Sequence, residues 1–422
     1  MVSQESLQGQ WISATGSPKR HLSSSFLLNS SVRKTLPDKI EGKILSSKAK
    51  FGITRVTDIT RLDKIGIPVF VTVRPFGKIL SVNSGKGATP LEAKISAIME
   101  SIEFHCAENY NPLDHIMLSP REFTENWSGD VLDYCPPLQA GIKLDEEINF
   151  VMGYDILQGD YFPSPIELVA FNPDFHRIFG SDTTGLASGT SIEDATLHAI
   201  CEVIERDIKT SEIFDRKGRR VPYETCPRNS RKMLRLIRDA GLEFSIKNRE
   251  NSYGVPYFET TIWEPGEQDL RFINSGYGCH PISRIALNRS ILEAAQSRLV
   301  YIHGSRDDFA QEWRGFENFS DSKKSQIRDQ RLKKLHQPSG SVKFSSIRGC
   351  DIKSDFVSKS LNYVLDALTR NNFTRLILHD LSCDVEGIKV VRTIIPRMEN
   401  FTIANKKVGR RLLALSRSMR EL

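Results

Sequence analysis

Two stretches of this chain repeat one another at a fixed spacing of 102 residues. Ala97-Ile98-Met99-Glu100-Ser101-Ile102-Glu103 and Ala199-Ile200-Cys201-Glu202-Val203-Ile204-Glu205 agree at five of seven positions. Upstream, Glu92-Ala93 faces Asp194-Ala195, Ile95 faces Leu197, and Gly87 faces Gly189. Each copy reads as a glycine turn, a helix start and an ExxE pair on a helix with one apolar face. Two copies are too few for a solenoid, so the repeat predicts a duplicated half-domain. Carboxylates three apart on a helix lie side by side, about 5–6 Å apart at Cβ. Setting Glu100 and Glu103 opposite Glu202 and Glu205 would gather four carboxylates, which repel unless a cation neutralises them. An oxygen-rich cluster of that kind suits Mg²⁺ shared with phosphates. A single ExxE pair is usually a solvated helix face. Here Ile98, Ile102, Ile200, Val203 and Ile204 set the glutamates beside the buried stripe instead.

The rest of the chain frames these copies. Residues 1–47 are rich in Ser, Lys and Arg and read as a mobile or loosely docked arm. From Phe51 an apolar pattern begins, with a strand at Pro68–Arg74, a glycine turn at Ser84–Gly87, and a helix from about Thr89 to Glu108. Thr89-Pro90 supplies a cap and first-turn pair. Strands are expected across 149–171, a glycine-punctuated loop over 180–189, and helices over 192–213 and 285–303. Residues 304–345 are highly charged and read as a surface excursion. A helix (354–370) and strands at 375–379 and 388–395 follow, then a basic amphipathic tail, 401–422. The main domain is therefore expected over 48–400, with α+β architecture.

Composition excludes several classes. No run approaches the roughly 20 apolar residues needed to span a bilayer, and the N-terminus lacks a basic start followed by an apolar run. The seven cysteines are scattered and include no CxxC pair. They predict reduced thiols in a cytoplasm, with neither a disulfide framework nor a structural zinc. The charge balance, 58 basic against 52 acidic residues, is mostly interspersed. That argues for a mixed solvated surface rather than a nucleic-acid face. The turn Ser84-Gly85-Lys86-Gly87-Ala88-Thr89 lacks the spacing of a Walker A loop. Lys86 reads equally as a solvated turn lysine or as the rim of a site. The third helix adds Arg289 and Glu293 at i, i+4, then Arg298 and Arg306. By itself the first pair is a surface ion pair worth a few tenths of a kcal/mol.

Together these elements resemble the YcaO family. The likeness lies in GKGATPLEAKISAIMESIEFHCAE, in GLASGTSIEDATLHAICEVIERD and in RSILEAAQSRLVYIHGSRDD, and covers most of residues 51–400. The opening FGITRVTDITRLDKIGIPVFVTVRP looks like the subgroup found with a TfuA-type partner protein. The resemblance implies a duplicated ATP-binding fold in which acidic helices hold Mg²⁺ and a triphosphate. It places the SxxxExxE motif on Ser96, Glu100 and Glu103, and the ExxER motif on Glu202, Glu205 and Arg206. The upstream positions fall on Thr190 and Asp194, where the family often has Asn and Glu. The RxxxE motif falls on Arg289 and Glu293. Metal ligands are thus expected at Glu100, Glu103, Asp194, Glu202, Glu205 and Glu293. ATP contacts are expected at Arg55, Lys86, Ser96, Thr190, Arg206 and Arg289.

The activity implied is ATP-dependent activation of a peptide backbone amide by phosphorylation of its carbonyl oxygen, giving a thioamide or an azoline. Phosphoryl transfer needs placement and charge neutralisation more than covalent chemistry, which suits a site of Glu and Arg without a nucleophilic triad. Many azoline-forming members end in a proline-rich segment, whereas Pro396 is the last proline here. The resemblance therefore leans towards thioamidation. A peptide or protein substrate, a TfuA-like partner and a homodimer are the associations it implies. The rival reading is a catalytically silent scaffold that presents a peptide to a partner enzyme.

Overall fold

A computed structural model describes residues 25–112, 115–171, 178–212, 218–304, 317–336, 339–383 and 385–418. It divides into two compact units, each assembled from separated stretches of chain. One holds residues 102–215 and 354–422, the other 26–101 and 216–353. The division falls within one helix, Pro90–Asn109, just after Ser101.

In the 26–101 and 216–353 unit, strands Arg55–Asp58, Val69–Val73 and Val82–Lys86 form an antiparallel sheet. Strands Arg219–Arg220, Glu243–Asn248, Tyr257–Trp263 and Asn274–Cys279 form another. Helices Arg228–Asp239 and Ser283–His303 pack on the second sheet around Leu234, Ile237, Phe258, Ile262, Leu287 and Ile291. Stretch 26–47, inside the expected arm, carries a short hairpin and helix Pro37–Ser47. That helix buries Ile40 and Ile44, so part of the arm has a stripe to dock. Residues 1–24 lie outside the described residues. In the expected surface excursion, helix Asp321–His336 lays Ile327, Leu332 and Leu335 against Trp263, Leu270 and Ile273. Three apolar residues at helical spacing suffice to dock a mostly charged helix. Arg306 lies outside the described residues.

In the 102–215 and 354–422 unit, a six-stranded antiparallel sheet runs 115–118, 148–155, 377–380, 389–394 and 186–189, with 160–165 also paired to 148–155. Helix Ile192–Ser211 packs on it, and helix Phe356–Arg370 packs on that helix. Segment 399–412, which runs from the end of the main domain into the expected basic amphipathic tail, is docked. Glu399 Oε1 and Oε2 accept from the amides of Leu412 and Gly409, and Asp207 accepts from the Glu399 amide and from Arg411. The reading of all seven cysteines as reduced thiols is corrected here: Cys106 and Cys383 form a disulfide, with Cα atoms 6.3 Å apart. They stand 277 residues apart in sequence, so only the tertiary packing brings them within bridging range. Among the described residues, no helix is long and apolar enough to cross a membrane.

One local device recurs. The acidic helices each follow a short strand, and glycines let helix and strand approach closely. A Cβ on Gly85 would lie 2.0 Å from the Ala97 nitrogen, and one on Gly276 would lie 2.1 Å from the Ala294 nitrogen. Contacts that short exclude any side chain.

Candidate active site

Two helices, Ile192–Ser211 and Ser283–His303, each present a narrow half-buried stripe with most of the remainder covered, and helix Pro90–Asn109 presents a broader one. On Pro90–Asn109 the stripe includes Ser96, Glu100 and Glu103; on Ile192–Ser211 it includes His198, Glu202, Glu205 and Arg206; on Ser283–His303 it includes Arg289, Glu293, Gln296 and Ser297. These spacings of three, four and seven follow the helical period. Buried hydroxyls help fix the rotation of two of the helices. Ser101 Oγ lies 2.6 Å from Thr72 Oγ1 and 3.0 Å from Asn83 Oδ1. Ser290 Oγ lies 2.7 Å from Thr260 Oγ1.

Six of the sequence-predicted residues belong to the 26–101 and 216–353 unit: Arg55, Lys86, Ser96, Glu100, Arg289 and Glu293. Lys86 Nζ donates to Glu293 Oε2 at 3.0 Å and to Gln296 Oε1 at 2.9 Å. Gln296 in turn donates to the Ser84 carbonyl and hydroxyl, and Glu293 Oε1 accepts from the Tyr277 amide at 3.3 Å. Lys86 is therefore held at the acidic face of the third helix, not waving in solvent. Arg289 lies close enough to His280 for its charge to act on that ring. Burial pushes His280 down to about 3, with the charges of Arg289 and Arg33 adding to it. Arg55 is not brought to Lys86. It is exposed on an edge strand, pairing Val73, while Lys86 pairs Val69. Four residues of strand, roughly 13 Å, separate those two register positions.

The other six belong to the 102–215 and 354–422 unit: Glu103, Thr190, Asp194, Glu202, Glu205 and Arg206. Ser188 Oγ donates to Glu103 Oε1 at 2.5 Å. Asp194 Oδ2 accepts from the Thr190 amide and hydroxyl, each at 3.4 Å. Glu92 does the same for the first copy, accepting from the Ala88 amide at 2.9 Å. The repeat thus extends to turn hydrogen bonding: Ala88 and Thr190, like Glu92 and Asp194, are 102 residues apart. Arg206 Nη2 meets Glu202 Oε1 at 2.7 Å and Thr183 Oγ1 at 2.9 Å, while Nη1 donates to Thr184 Oγ1 at 3.1 Å. Burial works against the charge on Arg206, but Glu202, Asp182 and Glu205 outweigh it and hold the guanidinium above its ordinary value.

Further residues complete this second set, and no motif announces them. Asp182, Thr183 and Thr184 sit in the glycine-punctuated loop; Arg392 comes from strand Lys389–Ile394, and Asn400 and Lys407 from the docked tail. Arg392 donates to the carbonyls of Leu168 and Asp182. Burial lowers Arg392 to about 10, even with Asp182 and Glu202 opposing the shift. The available signal was Arg392 itself, a lone arginine in the apolar run Val390-Val391-Arg392-Thr393-Ile394-Ile395. Among the described residues, no three His, Cys, Asp or Glu side chains converge as a ready metal site. Glu202 pairs with Arg206, and Glu293 with Lys86.

The comparisons with known proteins decide the family. The family model described as YcaO cyclodehydratase, ATP- and Mg²⁺-binding, matches residues 84–399. This chain belongs to the YcaO family. An uncharacterised protein of Methanothermobacter thermautotrophicus is 30% identical over 380 residues, covering 86% of this chain and 93% of that protein. The Rhizobium leguminosarum protein named for its place in the tfuA 3′ region is 30% identical over 367 residues, covering 83% and 84%. Among solved structures, YcaO from Methanopyrus kandleri bound with AMPPCP and Mg²⁺ superposes with a TM-score of 0.73 at 19% identity. It covers 92% of this chain and 98% of that one. A heterocyclase in complex with substrate and cofactor gives 0.68 at 16% identity, over 95% and 58%. The mixed helix-and-sheet architecture is thus the YcaO fold, and ATP and Mg²⁺ are the family's cofactors.

Proposed function

We propose that this YcaO chain uses ATP and Mg²⁺ to activate a backbone amide of a peptide or protein, leaving a thioamide or an azoline. The observation that carries this reading is Arg206. Its guanidinium is held between Glu202 and two threonine hydroxyls on the half-buried stripe of an otherwise covered helix, within the span matched by the family model.

The donor set fits both groups. Glu202 holds Arg206 and Glu293 holds Lys86. Within either pair, a divalent ion taking the carboxylate and a phosphate taking the cation would leave both groups partnered. In this reading Glu100, Glu103, Asp194, Glu202, Glu205 and Glu293 hold Mg²⁺. Lys86, Ser96, Thr190, Arg206 and Arg289 meet the triphosphate, with Arg55 the outlying member. Bound Mg·ATP supplies the phosphoryl group and the neutralisation of its charge.

The step balances. A nucleophile forms a bond to the carbonyl carbon, and the carbonyl oxygen takes the γ-phosphoryl group as ADP leaves. The carbon–oxygen bond then breaks, phosphate departs with that oxygen, and loss of a proton leaves C=S or C=N. Sulfide gives the thioamide; a neighbouring Cys, Ser or Thr gives the azoline. The relative named for the tfuA region supports a TfuA-like partner, and the heterocyclase likeness supports a peptide substrate. The test is the mass of a candidate peptide after incubation with Mg·ATP and sulfide. Exchange of oxygen for sulfur marks thioamidation and loss of water marks cyclisation. A protein that neither binds nor cleaves ATP overturns the reading in favour of a scaffold.

A further inference from the structure

Lys407 lies beyond residue 399, where the family match ends, yet it is wired to the centre of the second acidic site. It is only 5% exposed. Its Nζ donates to Asp182 Oδ2 at 2.6 Å and to the Gly180 carbonyl at 2.8 Å. Asn400 joins it, donating to Asp182 Oδ2 at 3.2 Å and to Thr184 Oγ1 at 2.6 Å. Asp182 Oδ1 accepts from the Thr184 amide at 2.8 Å, closing the loop into a turn. The hydroxyls of Thr183 and Thr184 then accept from Arg206. The segment carrying Lys407 is itself pinned: the Leu138 amide donates to the Lys406 carbonyl and the Val408 amide to the Pro136 carbonyl, each at 3.1 Å.

Burying an ammonium costs several kcal/mol unless it is fully paired, and an apolar side chain of the same length would avoid that cost. The charge needs a reason, and the hydrogen bonds give one. Arginine binds phosphate best when its planar fork is held in one orientation before the ligand arrives. Arg206 pairs directly with Glu202. It also donates to two threonine hydroxyls; Asn400 holds that of Thr184, and Asp182 caps the turn that carries both threonines. Without Lys407, Asp182 would be left half-buried beside Arg392 and Arg206 and would turn towards one of them.

We propose that Lys407 is a positioning residue for Arg206, acting through Asp182 and the Thr183 and Thr184 hydroxyls to fix the guanidinium for phosphate. This rests on the ATP reading above. Two measurements on the full chain separate the two ideas. The first needs no nucleotide: the Arg206 Nε–H resonance in ¹⁵N-arginine-labelled protein, assigned by its loss in Arg206→Gln. Lys407→Met is expected to shift and broaden it, and Lys407→Arg to restore it. The second is Mg·AMPPCP affinity by titration calorimetry. Lys407→Met should weaken binding about tenfold. Combined with Arg206→Gln it should weaken binding no further than Arg206→Gln alone, the non-additivity expected of one connected unit.

An Arg206 resonance unmoved by Lys407→Met overturns the proposal, as do affinity losses that multiply in the double variant. If Lys407→Met fails to fold, Asn400→Ala interrupts the same relay without removing a buried charge. It should move the resonance in the same direction and weaken binding about threefold; an unchanged resonance counts against the relay. A wild-type protein whose Arg206 signal answers to Lys407 but which binds no Mg·AMPPCP supports the relay and overturns the ATP reading.

Discussion

The helices Pro90–Asn109 and Ile192–Ser211 carry the same acidic pattern but surround it differently. On the first, Glu103 accepts a hydrogen bond from a neutral hydroxyl, Ser188. On the second, Glu202 meets a guanidinium that two further hydroxyls hold in place. The position equivalent to Arg206 on the first helix is Phe104, 102 residues earlier. It is 4% exposed, and its ring centroid lies 5.6 Å from that of Phe171. One copy uses this position to pack the core and the other to present a charge. The acidic positions therefore recur on both helices while a flanking position differs.

Substituting both members of that pair would break or sharpen the contrast most. Phe104→Ala is expected to cost about 3–5 kcal/mol of stability, the usual range for deleting a buried phenyl ring, measured by urea denaturation. Arg206→Gln should move the urea midpoint little, because an ion pair with both partners partly exposed contributes under about 1 kcal/mol. Its effect belongs in nucleotide affinity. Equal stability losses at the two positions would mean that Arg206 also is a packing residue.

The glutamates give the next contrast. Glu202→Gln removes the carboxylate paired directly with Arg206 and is expected to reduce ATP turnover about 100-fold. At Glu103 a glutamine oxygen can still accept from Ser188, so Glu103→Gln should cost nearer tenfold. Steady-state phosphate release from both variants, with thermal midpoints alongside, distinguishes these outcomes. Losses of the same size would show the two helices doing the same work.

What the sequence revealed follows the same division. The acidic helices are legible because the helical period and the 102-residue spacing are local properties of the chain. Their observed limits, Pro90–Asn109, Ile192–Ser211 and Ser283–His303, stay within a few residues of expectation. The partners of Arg206 are not legible. Lys407 and Asp182 are 225 residues apart and meet only because the tail docks. The Lys86–Glu293 pair spans 207 residues and depends equally on tertiary packing. The four-stranded sheet from 219 to 279 carries no chemical motif, yet it seats the third helix.

The smallest expected effect separates the two units by pH. His379 is 2% exposed, and neither ring nitrogen finds a hydrogen-bond partner among the described residues. It pairs across the sheet with Arg392, which holds the Asp182 loop. Burial first, and then the charge of Arg392, lowers His379 to about 3. His280, in the other unit, is held down to about 3 as well, but its Nδ1 accepts from the Ile282 amide. Both rings stay neutral in the folded chain down to about pH 3 and take up a proton near 6.5 once unfolded. Their contribution is therefore intact above pH 6.5 and declines as the pH falls from there towards 3, by about 1.4 kcal/mol per unit for each ring. At pH 5 each accounts for about 2 kcal/mol. Urea midpoints at pH 7 and 5 should show that His379→Leu halves the histidine part of the acid loss. If the variant keeps the whole slope, His379 is already charged opposite Arg392, and the second site tolerates a cation where the structure leaves it none to pair with.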